Sequence, residues 1–249
     1  MGEIKTQNLL VAADSNNMIN FWHTISGKCI YSIKGDETNN LYTIDYSKDG
    51  SMFACGGKDT IIRVYDDNTK QQITELKGEV GMEMPGHANR VYCVKFTNDP
   101  NILVSGGWDA TIMIWDLRAK EGVGYIYGPY ICGDSIDVQG DLIVTGSYND
   151  KDCVQLWSLS ERKLISKSNP ECITQVYGLK LSQDGKYIAA CGAGKNELAV
   201  LDNKPELTTL AKISGLPHPL TSLDFGMKNR IVCTSTTGAI DVYDFKKKY

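Results

Sequence analysis

The chain repeats itself. Val104 to Trp115 (Val-Ser-Gly-Gly-Trp-Asp-Ala-Thr-Ile-Met-Ile-Trp) registers without a gap against Val11 to Trp22 and against the segments ending at Tyr65, Leu201 and Tyr243. An aromatic residue or leucine closes each unit, at Trp22, Tyr65, Trp115, Trp157, Leu201 and Tyr243, so the steps are 43, 50, 42, 44 and 42 residues. A fixed period excludes most ways a chain can fold. Each unit is one piece of supersecondary structure that cannot bury its apolar face alone, so the core must come from stacking neighbours.

Within a unit the pattern is β: short alternating runs rich in Val, Ile, Tyr and Phe, broken by Asp-Gly, Gly-Lys or Asn-Thr, with nothing of helical period and length. In the third unit the runs are Val91 to Thr97, Ile102 to Gly106, Thr111 to Asp116 and Gly124 to Tyr127. The first run recurs as Leu41 to Ser47, Val176 to Ser182 and Leu220 to Gly226, with a small third residue (Thr43, Cys93, Gly178, Ser222) where inner strands crowd an axis. Lys48-Asp49-Gly50 and Gln183-Asp184-Gly185 follow it as hairpin turns, in which glycine supplies a positive φ. Four antiparallel strands per step of ~40 to 45 residues make one propeller blade. The expectation is a single all-β propeller of about six blades, with units near 8–35, 39–78, 87–128, 132–170, 174–215 and 218–249. The first unit begins at its second strand, because Met1 to Gln7 is too short for a strand and turn, and the last stops after its third. Six units of four then yield 22 strands, and the two open places invite pairing with a neighbouring chain.

The third unit, with Gly86-His87, Ser105, Asp109 and Trp115-Asp116, resembles a WD40 repeat, and the likeness runs from Asn8 to Phe245. The resemblance implies a tetrad running from Trp115 through Ser105 and His87 to Asp109, tying the outer loop of one blade to its inner strands. The other units depart from it. Cys55 replaces the serine in the second, which keeps Asp59 and Tyr65-Asp66. The first has Asn16 and Trp22-His23, and the fourth has Thr145 and Trp157 around a two-residue insertion. The last two carry Lys195 and Thr237 in place of the loop aspartate. The family commonly has seven blades, with one terminus completing the other's blade, so an incomplete seven-bladed ring stands as the alternative. The resemblance also implies an intracellular scaffold or subunit of a multiprotein complex, in the cytoplasm, at the cytoskeleton or cilium, or in the nucleus.

Composition narrows the function. A formal charge of −4 leaves no overall field for nucleic acid or anionic membrane, and Lys246-Lys247-Lys248 reads as a solvated tail. No stretch has the length of a membrane span, and the start lacks the parts of a secretion signal. Gly2 fits the loose myristoylation pattern, with Glu3 beside it arguing against use. The eight cysteines include no Cys-x-x-Cys pair, so they read as free thiols rather than metal ligands. Cys55, Cys191 and Cys233 stand where Ser105 stands and read as small core residues.

Catalysis finds no support. Ser105, His87 and Asp109 are hydrolase residue types, but Ser105 lies mid-strand, where no substrate reaches it. Gly192-Ala193-Gly194-Lys195 fails the phosphate-loop pattern at Ala189 and Asn196 and reads as a turn. His23 and His218 read as surface histidines. The expectation is a protein that binds proteins, with no cofactor, metal or small-molecule substrate.

Candidate anchors lie on the loops that the resemblance gathers around the axis. Trp108 precedes the loop aspartate and has no evident core duty; Lys58, Ser15 and Gly194 hold its place in other units. Arg90 and Tyr92 enter the same blade, Tyr42 and Tyr177 repeat the position of Tyr92, and Tyr148 lies in the fourth unit's longer loop. Tyrosines facing partners and tyrosines packed between blades are equal expectations. The longest step adds Glu79 to Pro85, with Met82 and Met84, to the same side. On the opposite face Trp115-Asp116-Leu117-Arg118 resembles the sequence by which some propellers dock to a cullin-type ubiquitin-ligase adaptor, which makes Asp116 and Arg118 the residues of a second, substrate-receptor reading.

Overall fold

The structure is a computed structural model that describes residues 8–36, 38–78, 86–168, 175–227 and 230–245. Met1 to Gln7, Glu79 to Pro85, Cys172 and the terminal lysines lie outside the described residues, as do the expectations that fall on them. The first sheet holds β1 (Leu9–Ala13), β2 (Met18–His23) and β3 (Lys28–Lys34), and the second holds β4 (Leu41–Tyr46), β5 (Met52–Gly57), β6 (Ile62–Asp66) and β7 (Gln72–Leu76). The third holds β8 (Val91–Phe96), β9 (Ile102–Gly107), β10 (Thr111–Asp116) and β11 (Glu121–Tyr127), and the fourth β12 (Ile136–Gln139), β13 (Leu142–Gly146), β14 (Val154–Ser158) and β15 (Lys163–Ser168). In the fifth are β16 (Val176–Leu181), β17 (Tyr187–Gly192), β18 (Glu197–Asp202) and β19 (Thr209–Ile213), and in the sixth β20 (Leu220–Phe225), β21 (Arg230–Ser235) and β22 (Ile240–Asp244).

Every sheet is an antiparallel meander in sequence order, and the six form a six-bladed propeller. The 22 described strands fall as the repeat requires, with three-stranded sheets at the two ends and four-stranded sheets between them. Apolar faces meet between blades. Trp115, Leu103 and Phe96 of the third pack on Ile62, Val64 and Leu76 of the second, and Ile112 and Val104 of the third on Ile136 and Ile143 of the fourth. Gly50 and Gly185 close the hairpins after β4 and β16 with φ of 71° and 68°, left-handed values that glycine adopts without a Cβ clash.

The inner strands share a device that the repeat pattern does not announce. Ladder register shifts between Leu41 and Thr43, Val91 and Cys93, Val176 and Gly178, and Leu220 and Ser222. Each shift is a β-bulge that drops the second residue out of the pairing and re-aims it. The small third residue then sits against the next blade: a Cβ on Gly178 would stand 3.1 Å from the Ser222 Cα.

One registration needs correction. In the fifth blade Gly178 pairs with Cys191 as Cys93 pairs with Gly106, so Cys191 occupies the place of Gly106 and Ala190 that of Ser105. The loop after β17 carries one extra residue, and a gapless alignment hides it because β18 remains in phase. Cys55 and Cys233 do stand at the Ser105 place, and all three thiols are buried.

Candidate partner-binding face

The bulges bring the predicted anchors together. With its backbone freed from the ladder, the second inner-strand residue turns toward the loops at one end of the axis. Tyr42, Tyr92 and Tyr177 are those residues in the second, third and fifth blades. The loop after the second strand is held in the same place each time by one backbone bond: Lys58 N–H to Asn40 O (2.9 Å), Trp108 to Arg90 (3.0 Å), Tyr148 to Tyr130 (2.9 Å) and Ala193 to Gln175 (3.3 Å). The last of these corrects the expectation that Gly194 holds the Trp108 place; Ala193 does, by the same extra residue.

A connected row of rings results. Tyr42 stacks on Tyr92 with centroids 4.9 Å apart, Tyr92 meets Trp108 at 6.4 Å, Trp108 meets Tyr148 at 5.1 Å and Tyr148 meets Tyr177 at 5.8 Å. Tyr130, which the sequence reading passed over, joins at 5.9 Å from Trp108. Its signal was positional, since it stands before the fourth blade's inner segment as Arg90 stands before the third's. The row crosses four blades, yet Tyr42, Trp108 and Tyr130 remain 38%, 37% and 40% exposed. The tyrosines pack on one another along the rim, and Tyr92 also packs on the core between the third and fourth blades. Burial and a hydrogen bond with Tyr148 push the Tyr177 hydroxyl up to about 12. Arg90 is hydrogen-bonded to Tyr92, which raises the guanidinium further and keeps it charged beside the rings. Lys58 is exposed at the same level on the second blade.

Offset and edge-to-face rings fix one another at little entropic cost and leave faces open to a second surface. Trp, Tyr and Arg are the residue types that anchor interfaces. The row is pre-formed and offers no acid–base pair or nucleophile, which suits it to binding.

Beneath it lies a buried network. Trp115 Nε1 donates to Ser105 Oγ (2.8 Å), His87 Nε2 lies 2.7 Å from the same oxygen, and His87 Nδ1 lies 2.9 Å from Asp109 Oδ2. Asp109 also takes the N–H groups of Ala88 and Thr111. Burial works against its ionisation, but His87 and these donors hold the carboxyl below the ordinary range. This network fixes the loop that carries Trp108. Ser105 is fully buried, with its oxygen engaged twice, which leaves no approach for a substrate. In the fourth blade Trp157 Nε1 donates to Thr145 Oγ1 at 3.1 Å, while in the second Asp59 turns to Arg63 at 2.7 Å.

Elsewhere the chemistry is quiet. Burial pushes the Cys55, Cys93, Cys132 and Cys233 thiols up to about 12, which removes them as nucleophiles at neutral pH. Among the described residues no group of three or more His, Cys, Asp or Glu is placed to hold a metal, and no helix is long and apolar enough to cross a membrane. At the far end of the third blade Arg118 pairs with Asp116 through Nε and Nη2, at 2.9 and 2.7 Å. The equivalent turn of the fifth blade has Lys204 on Asp202 at 2.7 Å, so the pair is a local feature that recurs. The family model described as WD domain, G-beta repeat (WD40) matches residues 27–66 and 78–116.

Proposed function

The chain is a WD-repeat propeller, and on that premise we propose that it is a non-catalytic scaffold that holds partner proteins against the aromatic row of its second to fifth blades. The observation that carries the proposal is the row itself, five ring contacts linking Tyr42, Tyr92, Trp108, Tyr130, Tyr148 and Tyr177 at a solvent-facing rim. Exposing large aromatics costs solvation, and Trp108 keeps 37% of its surface open beyond the three rings it meets. Arg90 and Lys58 supply the charged edge of the same surface. A neighbouring chain that completes the open blades belongs to the same role, as a second way of joining an assembly.

The test is quantitative co-purification from the native source with three tagged forms: wild type, Trp108→Ala/Tyr148→Ala, and Arg118→Ala. The double variant is expected to lose its partners at unchanged fold, judged by circular dichroism, while Arg118→Ala keeps them. Retention of every partner by the double variant would sink the aromatic-row assignment. Selective loss of a ubiquitin-ligase adaptor from Arg118→Ala would move the function to the opposite face and to substrate recruitment.

A further inference from the structure

One residue of each inner strand, the fifth in β4, β8, β16 and β20 and the second in the shorter β12, lies opposite the middle of the second strand. Asp45 faces Ala54, Lys95 faces Val104, Asp137 faces Val144, Lys180 faces Ala189 and Asp224 faces Val232. From the second blade to the sixth the sign alternates: acid, base, acid, base, acid. One neighbouring pair of the series meets directly, and its two bases share a further acid outside it. Lys95 reaches Asp45 at 3.7 Å, and Lys95 and Lys180 converge on Asp134, in the segment leading into β12, at 2.9 and 2.7 Å. The acids also take a backbone N–H from the next blade: Asp45 Oδ2 from Phe96 and Asp137 Oδ2 from Leu181, each at 2.8 Å. Asp224 begins as Asp137 does, with Oδ1 accepting from its own neighbour, Phe225, at 2.8 Å. Its next blade is the first, where no inner strand stands among the described residues.

That sixth place is an open groove of about 760 Å³. Leu9 and Val11 of β1 form one wall, Ile44 and Tyr46 of β4 another, and Asp45 and Asp224 both face it. β1 is the terminal strand of its sheet, so its groove-side edge is unpaired among the described residues. The equivalent second-strand residue in the first blade is Val11, which pairs with Phe21 as Val104 pairs with Ile114.

We propose that this groove takes an extended strand of a partner protein, laid antiparallel on β1, with a lysine or arginine opposite Val11 between Asp224 and Asp45. The proposal rests on the protein-binding role above and deepens it by giving the partner's chemistry. An open strand edge supplies affinity through main-chain bonds, and flanking side chains supply selectivity. Here selectivity comes from two carboxylates: a cation restores the alternation, an acid would meet two like charges. The residues flanking that cation are apolar, because the fourth and sixth places of the inner strands are Ile44 and Tyr46, Val94 and Phe96, Leu179 and Leu181, and Leu223 and Phe225. The two open places are also consecutive in the repeat, the fourth strand of one blade and the first of the next. A segment as long as Thr209 to Phe225, which fills those places between the fifth and sixth blades, reaches both.

The test uses the full chain and a fluorescein-labelled peptide copying Gln175 to Asp184, which contains an inner strand with Lys180 at the fifth place, read by anisotropy against the same peptide carrying Lys180→Glu. Saturable binding is expected, at least tenfold tighter for the lysine peptide, with the preference lost in Asp224→Asn/Asp45→Asn and reversed in Asp224→Lys/Asp45→Asn. The reversal is a gain, which a misfolded variant cannot produce. Equal binding of both peptides, or of neither, overturns the proposal. Binding that emerges only after deletion of Met1 to Gln7 overturns it too, by assigning the groove to the chain's own start. Because Trp108 lies outside the groove, failure here leaves the co-purification result standing, and Trp108→Ala should not change the peptide titration.

Discussion

Ile112 and Ile240 occupy the same place in the third and sixth blades, and one is fully buried while the other is 69% exposed. The contrast runs along the whole strand: β10 is buried from Thr111 to Trp115, whereas β22 alternates between exposed and half-buried. Local sequence does not cause this, since both strands carry aliphatic residues at matching places. The third blade has four strands and a complete blade on each face. Among the described residues the sixth has three strands, and it faces a first blade whose described strands begin at β1. In a repeat protein burial is conferred by the neighbour, so stability falls off where the stacking stops.

The sharpest way to break the comparison is to truncate both isoleucines. Ile112→Ala should cost about 2–5 kcal/mol by urea unfolding, the range for a buried aliphatic side chain, and Ile240→Ala should stay within about 0.5 kcal/mol. Equal costs would mean that the two ends are sealed in solution. Ser105→Ala comes next. It leaves the Trp115 indole N–H and the His87 Nε2 buried without the hydroxyl that joins them, and about 1–3 kcal/mol is expected, with the loop carrying Trp108 exchanging its amides faster than in wild type. An unchanged midpoint would remove the network from the account of why the third blade is the firm one.

The smallest effect concerns the inner ring. Burial opposes ionisation of Asp134, yet Lys95 and Lys180 hold its carboxyl well below the ordinary range. A carboxyl lowered in the folded state contributes stability above its unfolded pKa, near 3.9, and loses it as pH falls toward the folded value. Asp134→Asn should therefore cost about 1 kcal/mol at pH 7, a figure kept small because the side chain is partly solvated. It should also flatten the decline in melting temperature below pH 4. A steeper decline in the variant would contradict the ion-pair assignment.

Much of this was legible in the sequence because a period leaves few alternatives. The closing aromatics and Leu201 located the third strands, and the 22 strands of the described residues are those that the repeat leads one to expect. Trp108 could be singled out because a tryptophan in a loop position elsewhere held by lysine or serine has no core to explain it. The bulges were not legible: Tyr42 and Tyr92 look like ordinary members of an alternating strand, and only the ladder register reveals that they leave it. Tyr130 was missed because it lies outside any run. The extra residue before β18 escaped because the alanines and cysteine around it, Ala189-Ala190-Cys191, are interchangeable by size.

The alternating inner charges carry one more consequence, which is arithmetic. Opposite signs can be placed around a closed circle without conflict only when the number of members is even. A seventh inner strand that carried a charge at this place would set it beside a like one. With five signs written from Asp45 to Asp224, a single cation satisfies both neighbours and ends the series. A change of sign at Asp45 or Lys95 would set like charges within reach across one blade boundary.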